Sequence, residues 1–291
     1  MSTIFKKNHG FTLVELMLSM TLGLVIVLAA TQLFVTNQQS FALQRGLGDI
    51  NENSRLGTGF IMRSVQGAQY IPAIMDTQYR TRWTGIVTNT TELPTATAAQ
   101  ITGDGLSAVG IATNSDQLVV QRYADNQARD CEGNNVAGGR YIVERFFLRA
   151  DPLTGVASAL ACDAGSHDGG TLTNYGDNGV ILLPAVDNFQ ILLGVATVGA
   201  TNAAVVQRYV TPTQYAALGN PQILAVKMAL MITSLDQTGG LGQPAVPQPV
   251  AVLNQNITPP RDSRIRRVYE NTVLLRNVAQ FCDPADASQI C

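Results

Sequence analysis

The segment that most limits how this chain can fold is FTLVELMLSMTLGLVIVLAATQLFV, Phe11 to Val35, in which only Thr12, Glu15, Ser19, Thr21, Thr31 and Gln32 are polar. At about 1.5 Å per residue a helix of this length covers roughly 37 Å, enough to cross a bilayer. Lys6 and Lys7 precede it. The positive-inside rule therefore predicts a short cytoplasmic N-terminus, with the rest of the chain on the far side of the membrane. Glu15 is out of place in such a run, because an unpaired carboxylate in hydrocarbon costs at least a few kcal/mol. It needs a counter-charge, or a place near the headgroups that it can reach from one turn inside.

The helical period does not stop at Val35. Leu43, Leu47, Ile50, Ser54, Gly57, Ile61, Val65 and Ala68 recur at steps of three or four, and no proline occurs before Pro72. This predicts a single helix from about Phe11 to about Gln69, on the order of 90 Å long, whose second half is the spine of a globular head. Gly46, Gly48, Gly57, Gly59 and Gly67 each weaken it by up to about 1 kcal/mol, which suggests close approach to a sheet or to neighbouring helices.

Beyond Pro72 the pattern is that of strands and loops. Leu118 to Tyr123, Tyr141 to Arg149, Val180 to Leu183, Phe189 to Leu193, Ile223 to Thr233 and Ile265 to Leu275 are rich in apolar and β-branched residues. Val226, Met228, Leu230 and Ile232 alternate with Lys227 and Ala229. One helix followed by strands without intervening helices predicts an α+β fold, with a mainly antiparallel sheet packed on the helical stripe. Asp76 to Asp116, Gly199 to Asn220 and Gln237 to Asp262 read as long loops that contact other proteins, the first with room for a short strand at Thr84 to Val87.

With 46% apolar residues the chain folds, and a net charge of −2 gives no electrostatic case for nucleic acid as a partner. Cys131, Cys162, Cys282 and Cys291 form no CxxC pair and no His-rich spacing, so neither a metal nor a cofactor is expected. An even count in an exported chain suggests two disulfides. Sequence leaves three pairings. We expect Cys131 with Cys162, tying the ends of neighbouring strands, and Cys282 with Cys291 around DPADASQI.

Catalytic patterns are weak. His167 is the one histidine after the leader, and in AGSHDGG it neighbours Ser166 and Asp168 without a GxSxG elbow, so a solvated turn is expected. GDGLSAVG, Gly103 to Gly110, ends a GxGxxG pattern on Ala108 in a Thr-rich loop with no strand before it. Asp177, Asn178 and Gly179 resemble part of a calcium loop, but the spaced acids of an EF-hand are missing and a hairpin turn is preferred. Arg261, Arg264, Arg266 and Arg267 have no interleaved aromatics, so Arg264 and Arg266 are expected on the outer face of an edge strand.

The N-terminus admits three readings. A secretory signal fits poorly, since LAAT places Leu28 upstream of the cleavage position, and a plain anchor leaves Glu15 unexplained. The third uses every residue: a basic leader ending in Gly10, then Phe11, Thr12, Leu13, Val14 and Glu15, then the apolar helix, resembles a type IV prepilin. The resemblance implies cleavage between Gly10 and Phe11 by a prepilin peptidase and N-methylation of Phe11. It also implies an assembly charge pair between Glu15 and a neighbouring subunit's N-terminal amine, which offsets the desolvation of both. The organisation it implies is a leader at 1–10, a transmembrane and filament-core half-helix at 11–35, an amphipathic half at 36–70 and a β-rich head at 71–291. VDNFQILLGVA, ILAVKMALMITS and RIRRVYENTVLLRN resemble the core strands of the PilW-type minor pilins, with the GspJ-type pseudopilins as near relatives. Absence of a proline in the membrane half of the helix, and a large head, favour a minor subunit over a main filament protein.

For function the resemblance implies a non-enzymatic minor pilin that helps initiate pilus assembly at or near the tip. Its implied partners are other minor pilins, the major pilin, a tip adhesin, the prepilin peptidase and the inner-membrane assembly platform. Before assembly it sits in the inner membrane with a periplasmic head, and afterwards in the pilus. Two alternatives stay open, a pseudopilin of a type II secretion system and a membrane-anchored periplasmic hydrolase.

Overall fold

The computed structural model describes residues 10–70, 84–93, 95–107, 114–152, 154, 156–196, 205–219, 221–238 and 246–277. One helix, α1 (Leu13–Gly67), runs unbroken for 55 residues, roughly 80 Å at the standard rise. Its two halves live in different surroundings. Every residue from Gly10 to Phe41 is exposed, and burial begins only where the second stripe meets the head, at Gly46, Ile50, Ser54, Gly57, Thr58, Ile61 and Val65.

The described head is antiparallel throughout and is divided into two sheets, where the sequence pattern suggested one. The first sheet has the order β1 (Gly103–Ser107), β2 (Ser115–Ala124), β5 (Arg140–Ala150), β6 (Ser158–His167), β7 (Val180–Leu183). Between β2 and β5 a small hairpin of β3 (Ala128–Arg129) and β4 (Asn135–Val136) stands apart. The second sheet has the order β13 (Arg266–Leu274), β10 (Ile223–Thr233), β8 (Val186–Ala196), β9 (Val206–Val210). The inner faces of both sheets share one core with α1, in which Ile50, Ile61, Val65 and Ala68 meet Leu118, Phe146, Leu183, Phe189, Val226, Met228 and Leu230.

A polar seam joins the sheets. β9 pairs with β8 only over Leu193 to Ala196, so the lower edge of β8 has N–H groups without a strand to receive them. Side chains from the start of β2 take that place: Ser115 Oγ accepts from Phe189 N at 3.3 Å and Asp116 Oδ2 from Ile191 N at 2.9 Å. The other Asp116 oxygen accepts from Gly105 N of β1 at 3.0 Å.

Several expectations are corrected here. AGSHDGG is not a solvated turn: Ala164 to His167 lie in β6, and His167 is fully buried. Strand propensity gave no sign of SALACDAGSH, but pairing with β5 on one side and β7 on the other overrides it. The segments read as loops hold regular structure. Ile86 bridges to Val120 of β2, within the stretch where the sequence left room for a short strand, Gly103–Ser107 is itself a strand, and β9 is followed by the short helix α2 (Pro212–Ala216), which Thr211 and Gln214 cap reciprocally. Within Gln237 to Asp262 the hairpin β11 (Val250–Val252) and β12 (Gln255–Ile257) covers Ala229 and Met231 on the outer face of β10. Lys227, on that same face, pairs with Glu270 at 3.0 Å.

Candidate assembly site

The residues Gly10, Phe11 and Thr12 precede α1 in non-helical backbone, and Gly10 and Phe11 are exposed. Thr12 is the N-cap, with φ −79° and ψ 150°, and its side chain accepts from Glu15 N at 3.2 Å. This cap was missed in the sequence, although Thr-x-x-Glu before an apolar run is a helix-start signature. It fixes where helix begins, two residues after Phe11, and leaves Gly10 and Phe11 exposed outside the helix. Glu15 falls in the first turn, where a negative charge is favoured by the unsatisfied N–H groups of the helix end.

The half-helix that follows is equipped for an apolar setting. Its hydroxyls are satisfied internally: Ser19 donates to Leu16 O at 2.9 Å, Thr21 to Leu18 O at 2.9 Å, and Thr31 to Val27 O at 2.7 Å. Glu15 is the sole ionisable side chain between Leu13 and Val35. Leu13, Met17, Leu24, Ile26 and Leu33 are all more than half exposed, and none of this apolar window is buried against the head. Each large apolar side chain kept from water is worth about 1.5–3 kcal/mol, so this surface requires lipid or other apolar helices around it.

The second half is locked to the head. Gly57 lies so close to Leu183 that a Cβ there would collide with it, and a Cβ on Gly46 would touch Ser234 and Thr238 at 3.4 Å. Gly48 and Gly59 have open space around them, so the head does not account for them. Polar clamps add direction. Ser64 donates to Glu144 of β5 at 2.6 Å, Tyr269 of β13 to Asn51 at 2.6 Å, and Asn277 to Ala68 O at 2.9 Å. Gln69, at φ 61°, then donates its N–H to Gln121 O, turning the end of the helix onto the edge of β2.

The remaining candidates have structural surroundings. His167 Nδ1 accepts from Gly169 N at 3.1 Å, so Nε2 carries the proton that it gives to Gln121 Oε1 at 3.1 Å, and the ring stacks on Tyr141. Ser166 instead receives Arg140 Nε, so the pair is not arranged as base and nucleophile. Asp177–Asn178–Gly179 closes the long connection between β6 and β7, with Gly179 N on Asp177 Oδ1 at 2.6 Å, rather than forming a two-residue hairpin. Of GDGLSAVG, Gly103–Ser107 is edge strand and the remainder lies outside the described residues. Arg266, opposite Thr233 of β10 at the start of the edge strand β13, lies on the outer face with Val268 and Glu270, but its side chain is not solvated: it is enclosed between Asp187 at 2.7 Å and Asp262 at 2.6 Å. Arg264 donates to the Ser234 and Leu235 carbonyls. A disulfide joins Cys131, in the β3–β4 turn, to Cys162 in the middle of β6, with the Cα atoms 6.2 Å apart. Cys282 and Cys291 lie outside the described residues.

One helix is thus apolar and bare in one half, long enough to cross a membrane, and the spine of an antiparallel head in the other. Residues 5–31 match the prokaryotic N-terminal methylation motif, and residues 145–277 match the family described as Type IV Pilus-assembly protein W. Over these two stretches the chain is similar to type IV prepilins and to the PilW family. The PilW match runs from the middle of β5 through β13 and takes in the three strands β8, β10 and β13, where the core-strand likeness lies. No curated protein matches. Among solved structures the chain is similar to the Type IV-like pilin TTHA1219 from Thermus thermophilus, at 13% identity and a TM-score of 0.43, over 78% of this chain and 95% of that one. Pilin families are structural and non-enzymatic in kind, and membership in one implies contact with other pilus components.

Proposed function

We propose that this protein is a minor pilin that is held in the inner membrane by residues 11–35, cut after Gly10, methylated on Phe11, and drawn into a pilus to help initiate its assembly at or near the tip. The observation that carries the reading is the joining of a methylation motif, with Gly10 and Phe11 exposed ahead of the helix, to a half-helix that the head leaves wholly bare. In the membrane the lipid covers that half, and in a filament the neighbouring helices do. Glu15 then faces the new amine of an adjacent Phe11. Other minor pilins, the major pilin, a tip adhesin and the assembly platform are the partners this role requires. The engaged nitrogens of His167 speak against the hydrolase alternative.

The test is processing and location together. In cells with an active prepilin peptidase, mass spectrometry of sheared pili should find the chain beginning at methylated Phe11, and Gly10→Val should leave the leader attached and the protein in the membrane fraction. A leader-bearing chain in assembled pili would overturn the reading. Recovery with secretion components and not with pili would move it to the pseudopilins.

A further inference from the structure

Three carboxylates from separate stretches of chain converge beside the disulfide. Glu132 follows Cys131 in the β3–β4 turn, Asp163 follows Cys162 in β6, and Asp177 lies in the connection to β7. One oxygen from each lies within 4.8 Å of the others. The disulfide is what brings the first two together, since each is the next residue after a bridged cysteine.

The charges of this cluster are not balanced. Arg145, opposite Asp163 in the β5–β6 register, donates Nη2 to Asp163 Oδ2 at 2.8 Å and to the Asp177 carbonyl at 2.7 Å. The guanidinium is held over Phe147 at 4.2 Å and within 5.6 Å of Tyr175. Gly176 N also binds Asp163 Oδ2, at 2.9 Å. That oxygen is fully committed. Asp163 Oδ1, on a side chain with 0% exposure, is buried with no hydrogen-bond partner. A buried acceptor left without a donor costs about 1–3 kcal/mol, and more when charged. Three carboxylates against one guanidinium leave two negative charges uncompensated.

We propose that Glu132, Asp163 and Asp177 bind a divalent calcium ion, with Asp163 Oδ1 as the buried ligand and water completing the shell on the exposed Asp177 side. An all-oxygen donor set selects a hard cation and disfavours zinc or copper. Oxygens gathered within 4.8 Å of one another suit bonds of about 2.3–2.6 Å, and calcium accepts an irregular, partly hydrated shell more readily than magnesium, which demands near-ideal octahedral geometry. With Arg145 already present the affinity belongs in the weak range of extracellular modules, about 10⁻⁴–10⁻³ M. The proposal departs from the expectation of no metal drawn from the sequence, and it does not depend on the pilus reading.

The experiment uses the full chain in detergent, stripped with EDTA. Millimolar calcium should raise the melting temperature by about 2–6 °C, with magnesium giving a much smaller shift. Terbium should bind with luminescence sensitised by nearby tyrosine. Asp177→Asn, at an exposed position, should melt like wild type in EDTA but lose the calcium shift and the terbium signal, and Glu132→Gln should behave alike. Asp236→Asn, paired with Arg45 of α1 and outside the cluster, should keep both. Identical melting in calcium and EDTA, an equal shift with magnesium, or a full shift in Asp177→Asn would each overturn the proposal.

Discussion

Single residues decide how α1 meets its surroundings. Glu15 is favoured by the first turn of the helix, but that effect is worth only about 0.3–1 kcal/mol, less than the cost of an unpaired charge in hydrocarbon. Glu15→Leu should therefore insert in the membrane as well as wild type, while its incorporation into pili falls. Quantitative blotting of sheared pili against membranes checks this, and wild-type incorporation would refute the charge-pair account. The glycines separate in the same way. Gly57→Ala forces a methyl against Leu183 in a packed core and should lower stability by about 1–3 kcal/mol. Gly48→Ala, in open space, should raise it by up to about 1 kcal/mol through helix propensity. Urea unfolding of the two variants measures both. If neighbouring helices approach at Gly48, that stabilised variant will still assemble poorly.

At the level of elements, the end of β6 shows why AGSHDGG reads as a turn when taken alone. Its alanines, glycine and serines have low strand propensity, yet nearly all of it is buried, because β5 and β7 flank it and the 168–179 connection crosses it. Gly165 explains the small residues, since a Cβ there would lie 2.6 Å from both the Thr173 carbonyl and the Tyr175 side chain. Leu253, at φ 51° in the β11–β12 turn, hid that hairpin, because glycine or asparagine is the usual signal for positive φ. The Cys131–Cys162 bridge ties the β3–β4 hairpin to β6 across 31 residues. Replacing both cysteines by serine should cost about 3–4 kcal/mol by the loop-entropy model. The loss would appear as a lower urea midpoint for the head with the helix still inserted in membranes, and an unchanged midpoint would refute it.

The whole head depends on the seam between its sheets, and the seam is sensitive to pH. Burial pushes the Asp116 carboxyl up to about 7, with the N–H groups of Ile191 and Gly105 partly opposing the rise. A carboxyl whose folded value lies above the unfolded value of about 3.9 holds its proton more tightly when folded. The stabilisation from this group is complete below about pH 4 and is lost progressively as pH rises to about 7, by at most a few kcal/mol. Asp116→Asn, which resembles the protonated form, should flatten the decline in stability between about pH 5 and 7. Urea midpoints across that range would show it, and parallel profiles for the two proteins would count against it.

What the sequence determined by itself is what depends on neighbours along the chain. The length of α1, its bare and packed halves, and the β10 alternation all follow from periodicity and short motifs read over a few turns or strand residues. The buried stripe from Ile50 to Val65 lies where the spacing put it. Tertiary structure alone decided the division into two sheets, because that rests on Ser115 and Asp116 reaching β8 some 75 residues away. It also decided the burial of His167 and Arg266, and the meeting of Glu132, Asp163 and Asp177. These groups are polar in every local reading. Only the folded chain gives each of them the partner that makes burial tolerable, and no pattern along the sequence encodes a hydrogen bond or a charge supplied from so far away.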